Sequence, residues 1–483
     1  MKTIKALVLL CVVSFLTTNC YKDNDDNQIS ANEINDFVWK GMNSWYFWQP
    51  EVSGLSDSKD DNYSEYQSYL NQLSNPEEFF NSLRFQYGTT DRFSWFIDDY
   101  IAQDLEFQGI TKSHGLKYQS VKTNNNGDII VYVRYVADNS PASAANIKRG
   151  DIINAINGTV LNTSNYDNAV NGLFEDSVTL SFVYESGGTL TFIQDKTIMA
   201  AVLSENPVYL KKVFNDINGK KVGYLVYNGF RSSYNDELNE AFSFFKNENI
   251  DELILDLRIN GGGSVGTSAY LASMIYANAG LDKFADLKFN NKHSNQDGFY
   301  NFENTLNVFN TNNEKIGEQT INRLSTINRL YVLTSKSTAS ASEMVINGLK
   351  PYMNSVMVVG TTTYGKNVGS ITLYDSPRSD YQNKLSANPS HKYAMQPIVF
   401  QIFNKNGESD YTQGFTPDIE VKEYEYWNNI LAFGDENEVV LKAALDNIKG
   451  LTAKLSNSKK QNVFAKKIEL TDPNKKFENE MYI

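Results

Sequence analysis

Three short segments hold residues whose types and spacing could do chemistry. An apolar run at 330–334 leads into Ser335-Lys336-Ser337-Thr338-Ala339-Ser340-Ala341-Ser342-Glu343, and then into Met344, Val345 and Leu349 at helical spacing. That order predicts a strand, a turn and a helix. A serine at such a junction is expected to be exposed, with its Oγ facing the helix N-terminus, where unpaired N–H groups and the dipole favour developing negative charge. Capping the helix is the commonest alternative role for Ser340 or Ser342. The second segment is a strand at 253–258 followed by Ile259-Asn260-Gly261-Gly262-Gly263-Ser264. Three glycines let the backbone approach a ligand closely and aim N–H groups outward. The run lacks both a phosphate-loop ending and dinucleotide-fingerprint spacing, so an oxyanion hole is the better functional reading. In the third, a strand at 356–360 precedes Thr361-Thr362-Thr363-Tyr364-Gly365-Lys366-Asn367. A lysine serves as a base only if its pKa falls by roughly three units, about 4 kcal/mol, which requires burial beside the nucleophile.

Composition narrows the chemistry. A formal charge of -13 and the lack of a long basic run before the last thirty residues exclude a nucleic-acid partner. Cys11 and Cys20 are the only cysteines and both precede the folded body, so no disulfide, zinc-thiolate site or cysteine nucleophile is expected there. His114, His293 and His391 are too scattered to form a metal cluster, and none lies in the three segments, which disfavours a Ser-His-Asp site. A Ser-Lys pair is left, with no metal and no organic cofactor.

The positioning elements fall into several units, as 483 residues imply. Lys2 and Lys5 before an apolar run at 6–16 form a secretory signal too short to span a bilayer. The segment ending in Cys20 resembles a bacterial lipoprotein box, with Cys20 as the lipidated first residue and 21–30 as an acidic tether. An ordinary signal peptide with an incidental cysteine is the plainer alternative. Phe37, Val38, Met42, Trp45 and Tyr46, then Tyr66, Tyr69, Leu70 and Leu73, then Phe79, Phe80 and Leu83 read as three amphipathic helices, a helical cap over 31–104. Alternating β-type runs fill 105–200, and alternating strands and helices fill 201–450. The polar, Asn-rich stretch 283–327 reads as a long surface insertion. Residues 451–483 read as a polar tail that frays after a helix at 439–448.

Within 105–200, the run from Val136 through Ser140-Pro141 to Gly150-Asp151-Ile152-Ile153-Asn154-Ala155-Ile156-Asn157-Gly158 resembles the middle of a PDZ domain. The resemblance makes Gly115-Leu116-Lys117-Tyr118 the loop that receives a peptide carboxylate while the peptide adds as a strand. The three chemical segments together resemble the S41 C-terminal-processing (tail-specific) serine peptidases. Ser340-Ala341-Ser342-Glu343, Tyr364-Gly365-Lys366 and Asp256-Leu257-Arg258-Ile259-Asn260-Gly261-Gly262-Gly263 stand in the family's order, and Gly414-Phe415-Thr416-Pro417-Asp418 matches a late structural motif. The resemblance implies Ser340 as nucleophile, Lys366 as general base, and backbone N–H groups of Ala341 and of Gly262 or its neighbour as the oxyanion hole. It also implies a multidomain α+β fold: helical cap, inserted PDZ-like β-domain and crotonase/ClpP-like α/β core.

Family members commonly place a Gln one helical turn after the lysine, where this chain has Ser370. The expected activity is cleavage of protein substrates whose C-terminal tails the PDZ module captures. The expected location is the cell envelope, lipid-anchored at the outer membrane on its periplasmic or outer face. Two alternatives are a non-catalytic surface lipoprotein that binds peptides or a small hydrophobic ligand on this fold, and a scaffold acting through the PDZ domain alone.

Overall fold

The computed structural model describes residues 32–276, 278, 280, 282–310, 314–324, 327, 329–451, 465–468 and 479–483. Cys20, the signal segment and the acidic tether lie outside the described residues. At the centre is a six-stranded sheet in the order Val208–Ile217, Lys220–Tyr227, Glu252–Asp256, Arg329–Thr334, Ser355–Gly360 and Ile419–Glu420. The first pair is antiparallel and the rest are parallel. Strand side chains alternate between the faces. Leu225, Tyr227, Leu253, Leu255, Leu330 and Val332 therefore pack on helices Asn235–Glu248, Val265–Ile275 and Ala341–Leu349. Tyr224, Val226, Ile254, Tyr331 and Leu333 pack on helix Val439–Ile448. With both faces covered, the parallel strands read as continuous apolar runs.

The cap is helical and packs into the catalytic core. Its helices Glu33–Trp45, Tyr63–Leu70 and Pro76–Ser82 start at Asn32, Asn62 and Asn75, whose side chains cap the first-turn N–H groups. Their apolar faces, including Trp39, Trp45, Tyr66, Phe79 and Phe80, belong to the same core as the catalytic sheet. The cap also donates strand Trp95–Ile97, which pairs antiparallel with Ala394–Gln396.

Strands Ile110–Ser113 and Ala201–Ser204 pair antiparallel at the entrance to the β-module, whose own core gathers Ile129, Val131, Val133, Ile153, Leu180 and Phe182. Its strand Leu116–Lys122 pairs on one side with Ile129–Val136 and on the other with Lys466–Ile468.

Two expectations are corrected here. The stretch 283–327 is no surface insertion: Phe284, Leu287, Phe302, Leu306, Val308, Ile321 and Leu324 are buried in the main core, and Lys283–Phe289 pairs with Ile398–Phe403. Nor do the described parts of 451–483 fray. Lys466–Ile468 augments the β-module, and Met481–Tyr482 lies between Gly263–Ser264 and Val368–Ser370 in a second six-stranded sheet.

Candidate active site

The three chemical segments leave the C-terminal ends of adjacent parallel strands, where open α/β sheets place their sites. The turn carrying Ser340 is stitched to the glycine loop before it. Thr338 Oγ1 donates to the Leu257 carbonyl at 2.7 Å and Ser335 Oγ to the Arg258 carbonyl at 2.5 Å. Ala339 N–H and Ser342 Oγ both donate to the Asn260 carbonyl, at 3.2 and 3.1 Å. Asn260 is in turn fixed by its amide on the Tyr227 carbonyl, 2.9 Å. Under the loop, Arg258 is fully buried and ion-paired with Asp256, Glu423 and Glu438, so the Asp-Leu-Arg stretch is a structural anchor. Arg134 of the β-module donates to the Arg258 carbonyl at 3.0 Å, docking that module directly on the loop.

Ser340 has φ +63° and ψ -117°. This conformation is costly for a residue with a Cβ, and over-determined surroundings must hold it. Glu343, one turn into the helix, supplies much of that constraint. Its carboxylate accepts N–H groups of Ser340 at 2.9 Å, Gly365 at 2.7 Å and Lys366 at 2.8 Å, and the Thr363 hydroxyl at 2.5 Å. Burial pushes Glu343 up to about 7 against the pull of these donors. One side chain thus joins the serine turn to the lysine loop. It stood in the sequence as the Ser-x-x-Glu spacing of a capping box, the signal that could have assigned it a role. Glu343→Ala leaves four donors without their buried acceptor. It is expected to cost about 3 kcal/mol in denaturant unfolding and to lower peptide cleavage about a hundredfold.

Ser340 is buried rather than exposed, because the chain's own C-terminal segment covers it. The Ser340 hydroxyl donates to the Glu480 carbonyl, which also accepts the Gly263 N–H at 2.7 Å. Of the glycine-loop donors expected at this place, Gly262 or its neighbour, the neighbour makes the contact: the Gly262 N–H is turned onto Asn260 Oδ1 at 2.9 Å, and Gly263 faces the carbonyl. Gly262 serves by being small. At φ +114°, a Cβ there would fall 2.2 Å from the Glu480 oxygen and 2.7 Å from Ser340 Cβ. Ala341 opens the helix directly after Ser340, but the Glu480 carbonyl receives its backbone hydrogen bond from Gly263.

Lys366 is fully buried, with its amine over the rings of Phe93 at 5.2 Å and Trp95 at 5.9 Å. Burial pulls its pKa down to about 7, against the opposing attraction of Glu480, Asp91 and Glu343. The amine donates to the Asn479 carbonyl at 2.7 Å. Among the described residues, Lys366 and Ser340 do not bond each other. They hold two successive carbonyls just ahead of the strand Met481–Tyr482. Residues 368–370 form a strand, so Ser370 is not one helical turn beyond Lys366. Its Oγ donates to the Met481 carbonyl at 3.0 Å and accepts from Gln396 Nε2 at 3.1 Å. A glutamine therefore does stand in this region, supplied by another strand, and it acts on Ser370.

In the β-module, Gly115 has φ +78°, and a Cβ there would meet Ser140 Cβ at 2.2 Å. Leu116, Lys117 and Tyr118 begin the strand Leu116–Lys122, paired with Ile129–Val136. They lie on the same strand edge that receives Lys466–Ile468 further along.

Comparisons with known proteins agree with this architecture. The model of peptidase family S41 matches residues 221–421, the peptidase S41 N-terminal domain 33–95 and the PDZ domain 104–182. A carboxyl-terminal-processing protease of Picosynechococcus is 25% identical over 332 residues, 61% of this chain and 72% of that protein. Carboxyl-terminal-processing peptidase 2, chloroplastic, of Arabidopsis thaliana is 25% identical over 53% of this chain, and the match spans 48% of that relative's length. The crystal structure of an S41 protease from Bacteroides fragilis superimposes with a TM-score of 0.65 at 26% identity, covering 88% of this chain and 99% of that one. The chain belongs to peptidase family S41, as a multidomain serine peptidase of the carboxyl-terminal-processing family with a PDZ domain between its N-terminal and catalytic parts.

Proposed function

We propose that this chain cleaves protein substrates near their C-termini, with Ser340 as nucleophile and Lys366 as general base, after the PDZ domain has captured the substrate tail. The carrying observation is a peptide carbonyl held between the Ser340 hydroxyl and the Gly263 N–H, beside a buried amine with a pKa of about 7. An amine tuned to neutral pH can take the serine proton as the hydroxyl attacks, and the Gly263 N–H is placed to stabilise the oxyanion. The Lys366 ammonium then protonates the departing amine, and water hydrolyses the acyl-enzyme. Two features support tail capture at Gly115, Leu116, Lys117 and Tyr118. They are the positive φ of Gly115 and the capacity of the adjoining strand edge to accept an added strand. Lipidation at Cys20 and anchoring at the outer membrane belong to the same proposal and rest on the sequence.

The test is an unfolded protein offered with and without its last few residues. The intact form is expected to be cut about tenfold faster at low concentration, through the higher local concentration that tail capture provides. Equal rates would remove the PDZ domain from substrate selection.

A further inference from the structure

Resting on the peptidase reading above, we propose that the chain's own C-terminus is its built-in substrate, cut by Ser340 between Glu480 and Met481. Several independent contacts set this register. Met481–Tyr482 pairs parallel with Gly263–Ser264, and Tyr482 pairs with Ser370 on the other side, so the segment is clamped as a strand between two walls of the site. The Asn479, Glu480 and Met481 carbonyls are taken in turn by Lys366, by Ser340 with Gly263, and by Ser370. Only the Glu480 carbonyl faces both the nucleophile and a backbone donor, which singles out the bond that follows it.

The side chains are seated as selectively as the backbone. The Glu480 carboxylate is ion-paired with Arg231. Met481 is fully buried in the main core cluster. Tyr482 stacks on Phe107 with ring centroids 4.1 Å apart, and its hydroxyl donates to the Phe107 carbonyl at 3.2 Å. Ile483 borders a cavity of about 290 Å³ whose lining includes Asp104, Phe107, Thr372, Tyr374 and Lys384. The subsites thus take an acidic residue before the cut and large apolar residues after it, with Arg231 as the specificity-determining group for the former. Upstream, Lys466–Ile468 of the same tail adds antiparallel to the PDZ strand, and Gln119 Nε2 donates to the Ile468 carbonyl at 2.9 Å. One polypeptide therefore occupies the tail-receiving strand edge and the cleavage site together, joined by residues 469–478.

The step balances without a further reagent. Ser340 Oγ forms a bond to the Glu480 carbonyl carbon and its proton passes to Lys366. The bond from that carbon to the Met481 nitrogen breaks, and Lys366 returns the proton to that nitrogen. Met-Tyr-Ile leaves, and water frees the Glu480 carboxylate and Ser340. A tethered segment has an effective concentration on the order of millimolar, so until it is cut it outcompetes most untethered substrates.

Intact-mass measurement of the purified full-length chain, incubated at neutral pH, tests this. The wild type is expected to lose Met481-Tyr482-Ile483 at a rate independent of protein concentration, while Ser340→Ala keeps them. Glu480→Lys, which alters only the tail and sets like charge against Arg231, is expected to slow the loss at least about tenfold. A wild-type chain that cuts an added unfolded protein yet keeps its last three residues overturns the self-cleavage and leaves the peptidase reading standing. A wild-type chain that cuts neither overturns both. Loss of the three residues from Ser340→Ala at the wild-type rate assigns the cut to another protease and also overturns the inference.

Discussion

Ser340→Ala is expected to lower peptide cleavage by about ten-thousandfold or more, leaving only the residual catalysis that the oxyanion donor and substrate binding provide. The fold should survive. The bond from the Ser340 N–H to Glu343 is a backbone bond that alanine keeps, and the positive φ costs serine and alanine alike. The Oγ donates to the tail carbonyl, and its remaining contact is the capping-box one to the first turn of the helix, a loss of about 1 kcal/mol at most. Ser342 is poorly placed to replace it, because its hydroxyl is committed to the Asn260 carbonyl at 3.1 Å. Gel or mass detection of products from an unfolded protein, beside an unchanged thermal unfolding curve, checks the result.

Lys366→Met is expected to do two opposite things: abolish cleavage and stabilise the protein. Burial in the folded chain holds the amine's pKa down at about 7, against 10.5 for a lysine in water. The sign follows from linkage: the unfolded state binds the proton more tightly, so stability rises with pH between the two values. The cost of burying this lysine is absent above its unfolded pKa, grows as pH falls to about 7 and is constant below, where a buried charge must be tolerated. At neutral pH that cost is roughly 4 kcal/mol, which the apolar substitution removes in denaturant unfolding. For activity, only the neutral amine can accept the serine proton. A bound substrate replaces the tail strand and preserves the burial, so kcat of the wild type is expected to rise with pH through a midpoint of about 7. A flat profile, or a Lys366→Met variant that is both active and no more stable, would remove the lysine from the chemistry.

What was legible in the sequence was whatever local pattern determines. The unbroken apolar run Leu253-Ile254-Leu255 marks a strand buried on both faces, and the turn from Ala339 into the Met344 helix marks the junction that carries Ser340. The run of three glycines indicated backbone donors but could not say which amide points inward. That depends on Asn260, whose side chain captures Gly262 and leaves Gly263 to face the carbonyl. The stretch 283–327 misled because its polar residues outnumber the apolar ones, while Phe284, Phe302 and Leu306 still reach a core assembled by distant helices. The tail misled for a similar reason. A Lys-rich and Asn-rich segment reads as solvated, and strand formation by Met481–Tyr482 comes wholly from partners at Gly263–Ser264 and Ser370. The role of Ser370 could not be read from its spacing after Lys366, because 368–370 extend as a strand and turn its hydroxyl to the Met481 carbonyl.

The most direct test of the central claim is to quench the enzyme with acid during turnover of an unfolded protein and map the acylated residue by mass spectrometry. The predicted result is an ester on Ser340 whose rate of formation climbs with pH through about 7 and vanishes in Lys366→Met. An ester on another serine, or one that forms equally fast in Lys366→Met, would contradict the account.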